Sequence, residues 1–238
     1  MELRREQLIH KGKANNVFST NAGDILELEA SDRISAGNGE RRDVIEGKGV
    51  VNNVISMYCF KLLEKNGIKT HFISEGSNEC SKFVKKLDMI MLEVINRRYT
   101  AGSFCERFGC EAGVEIVPSG VEFSLKSDEL GDPFIPKFAI KALGIATEEE
   151  IQYMEETTAK VSDILSEYFD SLGVRLIDFK IEFGRDMDGN IVIGDEISPD
   201  TCRLVDKVTG EKFDKDLFRQ NLGGVGEAYR KILERVKG

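Results

Sequence analysis

RLIDFKIEFG (residues 175–184) and NIVIGDEI (190–197) flank the tetrapeptide Asp186-Met187-Asp188-Gly189, and the reading of this pair decides the fold. Alternation puts Asp178, Lys180 and Glu182 on one face of the first segment and Phe179, Ile181 and Phe183 on the other. A strand with one charged and one apolar face belongs to an antiparallel sheet that buries one side. Asp-Gly between two such runs signals a hairpin. A two-residue turn at Asp188-Gly189 would set Glu182 directly opposite Asp195, with Cβ atoms about 5 Å apart, where like charges repel. A cation between them reverses the sign, and oxygen ligands without Cys or His suit Mg²⁺ or Mn²⁺. Without metal, removing either acid is then expected to relieve the fold. The alternative is a solvated hairpin whose acids face water, and a three-residue loop with a bulge would shift the register. Lys180, between two acids on the same face, favours a site.

Outward from this hairpin the chain alternates strand and helix patterns. VFST and ILELEA read as two strands around NAGD. SAGNGERRD reads as a loop. Residues 49–66 carry helical spacing, with Gly67 placed to stop it. IKTHFI and KFVKKL read as strands, as do MIMLEVINRRY and VEFSLKS, with a short helix at AGSFCERFG. A long helix runs from Thr147 to about Leu172, opened by a Thr147/Glu150 capping box, and GVGEAYRKILERVKG closes the chain as an amphipathic helix. GDEISPDTCRLVD (194–206) is mostly too polar for a core strand. The class expected is α+β in two lobes, 1–88 and 89–238, with residues 88–93 at the floor of a cleft.

The 238 residues hold 33 Lys and Arg against 42 Asp and Glu, a net charge of −9, which argues against nucleic acid as a partner. Apolar runs are too short for a bilayer, and the first thirteen residues contain no apolar stretch of the kind that directs secretion. Five irregularly spaced cysteines, with no C-x-x-C, point to a reducing cytoplasm rather than to zinc or a disulfide framework. Basic residues fall in three groups. The glycine of His10-Lys11-Gly12-Lys13 would let backbone approach an anion, but this is not a P-loop, and a lysine beside a glycine is usually plain surface. Arg97 and Arg98, followed by Gly102-Ser103 at a helix start, form a candidate phosphate site, with an ordinary serine cap as the alternative. Arg203 follows Pro199 and Asp200.

Seven segments carry a family resemblance: GKANNVFST, SDRISAGNG, GKGVVNNVIS, FVKKLDMIMLEVINRRYTAGS, FSLKSDELGDPFI, DFKIEFG and GDEISPDTCRLVD, in order along nearly the whole chain. With these the sequence resembles the SAICAR synthetase family of purine biosynthesis. The resemblance implies a two-lobed ATP-grasp-like fold and a cytoplasmic ligase, and leaves room for a homodimer. Its substrates would be ATP, L-aspartate and carboxyaminoimidazole ribonucleotide (CAIR), and its cofactor Mg²⁺. It implies that Lys13 meets the ATP phosphates and that Lys85 to Met89 line the adenine pocket. Glu182 and Asp195 would hold Mg²⁺, with Lys180 beside the phosphates. Arg97, Ser103 and Arg203 would bind the ribonucleotide phosphate, with Lys126 and Asp132 nearby and Asp200 among the substrate-orienting acids. Asn15 stands where the family commonly has a second lysine, Asn38 where many members have Asp, Gly131 where some have His, and Val205 where Trp is usual. A phosphotransferase using the same ATP apparatus and a non-catalytic nucleotide-binding protein are the competing functions.

Overall fold

The computed structural model describes residues 2–37 and 39–238; the expectation attached to Asn38 lies outside them. A small sheet is built from β1 (Arg5–Lys11), β2 (Asn15–Thr20), β3 (Ile25–Ala30), β6 (Phe72–Glu75) and β7 (Ser81–Lys85), all antiparallel in the order β1-β2-β3-β7-β6. The segment read as a loop, SAGNGERRD, is instead largely a second short hairpin, β4 (Arg33–Ala36) with β5 (Arg41–Val44). Gly37 and Gly39, at its tip, both take positive φ, which released the two flanking runs to pair. Helix α1 (Lys48–Lys65) ends before Gly67, whose φ of 79° suits a helix stop.

The large sheet contains β8 (Asp88–Tyr99), β9 (Glu115–Leu125), β10 (Val174–Arg185), β11 (Ile191–Gly194) and β12 (Cys202–Asp206). Its order is β9-β8-β10-β11, and β12 also pairs with β10. Both β11 and β12 thus border β10, opposite residues 182–185 and 174–179 respectively. Part of GDEISPDTCRLVD is therefore strand after all: Cys202 and Leu204 are buried while Arg203 and Val205 are only partly so, an alternation masked by the acids around it. Residues 195–201 fill the gap between β11 and β12, anchored where the Lys180 N–H donates to the Thr201 carbonyl at 2.8 Å. The remaining helices are α2 (Ser103–Phe108), α3 (Lys137–Ala142), α4 (Glu148–Ser171), α5 (Asp216–Arg219) and α6 (Val225–Lys237). Thr147 caps α4 through the expected reciprocal box with Glu150, and Ile151, Met154, Val161, Leu165 and Phe169 form its buried stripe. Phe179, Ile181 and Phe183 are all buried beneath that helix layer.

Two features join the sheets. The His71 N–H donates to the Ile193 carbonyl (2.8 Å) and the Ile193 N–H to the Lys69 carbonyl (3.2 Å), so the strand-like run 69–71 lies parallel to β11. The connection from β7 to β8 lies against two glycines of the hairpin: a Cβ on Gly184 would come within 2.8 Å of Leu87 Cβ, and one on Gly194 within 3.1 Å of Leu87 Cδ1. Among the described residues no helix is long and apolar enough to cross a membrane. Gly184→Ala is expected to push this connection outward at a cost of about 1–3 kcal/mol, the usual range for overpacking. Thermal denaturation checks it: a melting temperature equal to wild type would show that Leu87 moves freely.

Candidate active site

The centre of the site is the charged face of β10. Lys180 Nζ lies 2.7 Å from Glu182 Oε1, 3.2 Å from Glu93 Oε1 and 3.5 Å from Asp195 Oδ2. Lys126 makes a further, very close ion pair with Glu182. Glu182 is almost wholly buried, which by itself raises its pKa; Lys180 and Lys126 outweigh that and bring it to about 2. Asp195 goes the other way. Burial first, then the neighbouring Glu182, lift its carboxyl to about 6 in spite of Lys180. Three carboxylates therefore share two ammonium groups, and Asp195 is the acid left short of positive charge.

The register expected for the hairpin is wrong by one. Glu182 pairs with Gly194, not with Asp195. The Gly189 N–H donates to the Asp186 carbonyl and the Asp186 N–H to the Asn190 carbonyl, so Met187, Asp188 and Gly189 form a three-residue loop with Gly189 left-handed at φ 79°. Such a slip should turn Asp195 to the opposite face. It does not, because Asp195 itself leaves the strand with φ 58°, which breaks the alternation and brings its carboxylate to Lys180. An aspartate in this region needs its surroundings to hold it there. The two acids meet, but by a left-handed residue rather than by a two-residue turn. Their donor set is all oxygen and short of positive charge, which fits a hard divalent cation.

Four residues toward the start of β10, Asp178 organises a second end of the site. Its Oδ2 accepts from Arg97 Nη1 at 2.5 Å and from Arg203 Nη1 at 2.7 Å. Arg97 Nη2 also donates to Ser103 Oγ at 3.0 Å, so Arg97, Ser103 and Arg203 converge as expected. Ser103 is not the helix cap: Gly102 occupies that position without a side-chain bond, at φ 50°, and a Cβ there would sit 2.3 Å from Arg203 Nη2. Lys215 and Arg219 line the same end and were not singled out from the sequence; KDLFR does place them one helical turn apart. Burial pulls the Lys215 amine below its ordinary value, against the attraction of Asp200.

At the other side, Val17, Leu26, Leu28, Val84, Leu87 and Met89 make an apolar wall beside Lys85. Lys13 lies at the mouth and pairs with Asp128 at 2.6 Å. Asp132 takes φ 50° and accepts the Ser127 N–H at 2.8 Å, so it shapes the turn that carries Lys126, next to Gly131 at φ 76°. Asp200 borders the cavity, but both its oxygens are engaged, one by Lys48 Nζ (2.7 Å) and the other by the Tyr229 hydroxyl (2.6 Å). Asn15 Nδ2 is 3.3 Å from Glu196 Oε1, and Val205 sits on β12 opposite Arg175. One cavity of about 740 Å³ connects the apolar wall, the acid–lysine centre and the arginine end.

Two lobes closing on such a cleft, with a strand connection along its floor, define an ATP-grasp-like protein. A family model described as SAICAR synthetase matches residues 8–236, and the chain belongs to that family. A phosphoribosylaminoimidazole-succinocarboxamide synthase of Caldanaerobacter subterraneus subsp. tengcongensis is 47% identical over 235 residues, covering 99% of each chain. Among solved structures, the corresponding synthase of Ehrlichia chaffeensis superposes with a TM-score of 0.94 at 38% identity, over 97% of this chain and 98% of the other. A SAICAR synthetase in complex with ADP superposes with a TM-score of 0.92 at 43% identity, over 95% and 96%.

The expectation that removing either acid relieves the metal-free fold needs correction, because the two acids are unlike. Asp195 is raised from 3.8 to about 6, so what it contributes to stability is present at low pH and lost as pH rises through 6. Glu182 is lowered from 4.5 to about 2, so its contribution is present above 4.5 and lost as pH falls toward 2. At pH 7.5 without metal, Asp195→Asn is expected to leave the melting temperature unchanged or higher. Glu182→Gln takes from Lys126 and Lys180, both only partly buried, the carboxylate they share, and should lower the melting temperature. Equal effects of the two substitutions on metal-free melting would refute this asymmetry.

Proposed function

We propose that this chain is the ATP-dependent ligase that joins L-aspartate to CAIR, giving SAICAR, ADP and phosphate. The observation that carries the reading is the single cavity with an apolar slot at one side, a lysine–carboxylate centre in the middle and an arginine–serine cradle at the other. A phosphotransferase acting on a simple hydroxyl has no use for the third part. Residues 1–88 form the nucleotide lobe and residues 89–238 the lobe that carries the metal and substrate groups.

ATP lies with its adenine against the apolar wall, along the backbone from Lys85 to Met89, and its phosphates toward Lys13 and Lys180. Arg97, Ser103 and Arg203 take the ribonucleotide phosphate, a charge-assisted arrangement in which a guanidinium presents paired donors. This fixes the CAIR carboxylate near the centre, beside Lys126, with Asp132 shaping the turn and Asp200 holding the 195–201 segment in place. Glu182 and Asp195 would hold Mg²⁺, which supplies neutralising charge for the phosphates when bound.

A carboxylate is a poor electrophile, so the reaction runs in two steps. A carboxylate oxygen of CAIR attacks the γ-phosphorus and ADP departs, leaving an acyl phosphate. The aspartate amine then attacks the acyl carbon, phosphate leaves with the bonding pair, and the amine gives up a proton as the amide forms. What the chain contributes is position and positive charge, the two requirements of phosphoryl transfer. Against burial, Glu182, Asp195 and Glu93 hold Lys180 above its ordinary pKa, so it stands as an ammonium beside the acids before substrate binds.

Full ADP release is expected to require both CAIR and aspartate, with SAICAR formed in equal amount. ADP formed with alcohol acceptors and without SAICAR would exclude the ligase. Arg203→Ala is expected to raise the KM for CAIR about ten- to a hundred-fold, the worth of one charge-assisted contact, with a much smaller change for ATP. Steady-state kinetics with each substrate varied separate the two, and an equal effect on ATP would move Arg203 to the nucleotide.

A further inference from the structure

Lys82 has no part in the chemistry above, yet it is 1% exposed. It lies on β7 opposite Leu28, and alternation gives it the same side of the small sheet as Val84, the side that forms the apolar wall. Among the described residues no carboxylate comes within salt-bridge distance of its amine. The Phe60 ring is 6.0 Å away, and that ring meets His71 edge-on. Burial depresses the Lys82 pKa, and the opposite charges that sustain its ammonium are Glu196 first and Asp195 second. Glu196, only 4% exposed, makes no ion pair among the described residues: its side-chain contact is the neutral amide of Asn15 at 3.3 Å, and Lys215 is the other cation it attracts. A buried charge without a counter-charge is costly, and two opposite ones beside the same turn relieve each other.

The turn they flank is the one that matters. Asp195 is held at φ 58° between two fixed points, Ile193, bonded to residues 69 and 71, and Ile197, whose N–H donates to Ser56 Oγ at 3.3 Å. Glu196 is the side chain between those points that reaches back toward the small sheet. We propose that Lys82 is the counter-charge of Glu196 and a positioning residue for Asp195, tying the acid turn of the large sheet to the nucleotide wall of the small one. The mechanism is electrostatic: the attraction holds the Asp195–Glu196 turn against the wall, so the Asp195 carboxylate stays directed at Lys180.

This inference deepens the ligase reading and rests on it for its kinetic arm only. Lys82→Met keeps the buried stem and deletes the charge. Its kcat for SAICAR formation is expected to fall at least about tenfold while the KM for CAIR stays within about twofold, because the ribonucleotide end is untouched. Asn15 is already beside Glu196, so adding Asn15→Lys to Lys82→Met should return kcat to within about threefold of wild type. The second arm is a stability cycle of Lys82→Met, Glu196→Gln and the double variant, in which the double variant should lose less than the two single losses combined. Additive losses, an unchanged kcat in Lys82→Met, or no recovery with Asn15→Lys would each overturn the proposal. Should Lys82→Met alone fail to fold, the double variant is expected to fold because neither charge is left unpaired; its failure also overturns the pairing. A wild type that makes no SAICAR would refute the ligase reading, and the stability cycle would still decide the pairing.

Discussion

Of three ionisable side chains on one face of β10, Asp178 and Glu182 are buried and Lys180 between them partly so, and each must find opposite charge. Asp178 finds it in Arg97 and Arg203, and Glu182 in Lys180 and Lys126. The period of the strand separates those two solutions by about 13 Å at 3.3 Å per residue. One strand therefore sets the distance between the arginine end and the lysine–carboxylate centre. Its other face, Phe179, Ile181 and Phe183, fixes the strand against α4 so that this distance is rigid.

The edge of β10 explains why the site opens where it does. β11 leaves after Gly194 and β12 begins at Cys202, so part of β10 has no continuous neighbour strand, and the segment between carries Asp195, Glu196 and Asp200. That segment is buried and anchored from three sides, by Ser56 and Lys48 of α1, by Tyr229 of α6 and by the Lys180 N–H. Several cations of the site are already engaged by protein acids: Arg97 and Arg203 with Asp178, Lys126 with Glu182, and Lys13 with Asp128. An anionic substrate would exchange one set of partners for another, which holds the side chains in place before it arrives and reduces the ordering cost of binding.

Local signals were legible in the sequence, and long-range pairings were not. The Thr147 box, the Gly67 stop and the two-sided pattern of β10 each depend on a few adjacent residues, and all are present. The β10–β11 register depended on whether the turn held two or three residues, a choice that Asp186 makes by bonding forward to Asn190. The positive φ of Asp195 has no local signature, so a two-residue turn was the expected way to bring the two acids together, and they meet by a different geometry. β1, β12 and the β4–β5 hairpin were missed because polar edge strands show weak alternation. Lys82 was invisible for a related reason: in KFVKKL it looks like one more surface lysine, and only the packing of α1 and the 195–197 turn buries it.

The central claim is that Glu182 and Asp195 form a cation site in which Lys180 is the resident counter-charge. Crystals grown with ADP and Mn²⁺, measured for anomalous scattering, test it most directly. The account predicts a manganese peak bound by Glu182 and Asp195 oxygens, with the Lys180 amine turned from the acids toward the phosphates. A peak held by other residues, or Lys180 still bridging the two carboxylates with manganese bound elsewhere, would contradict it.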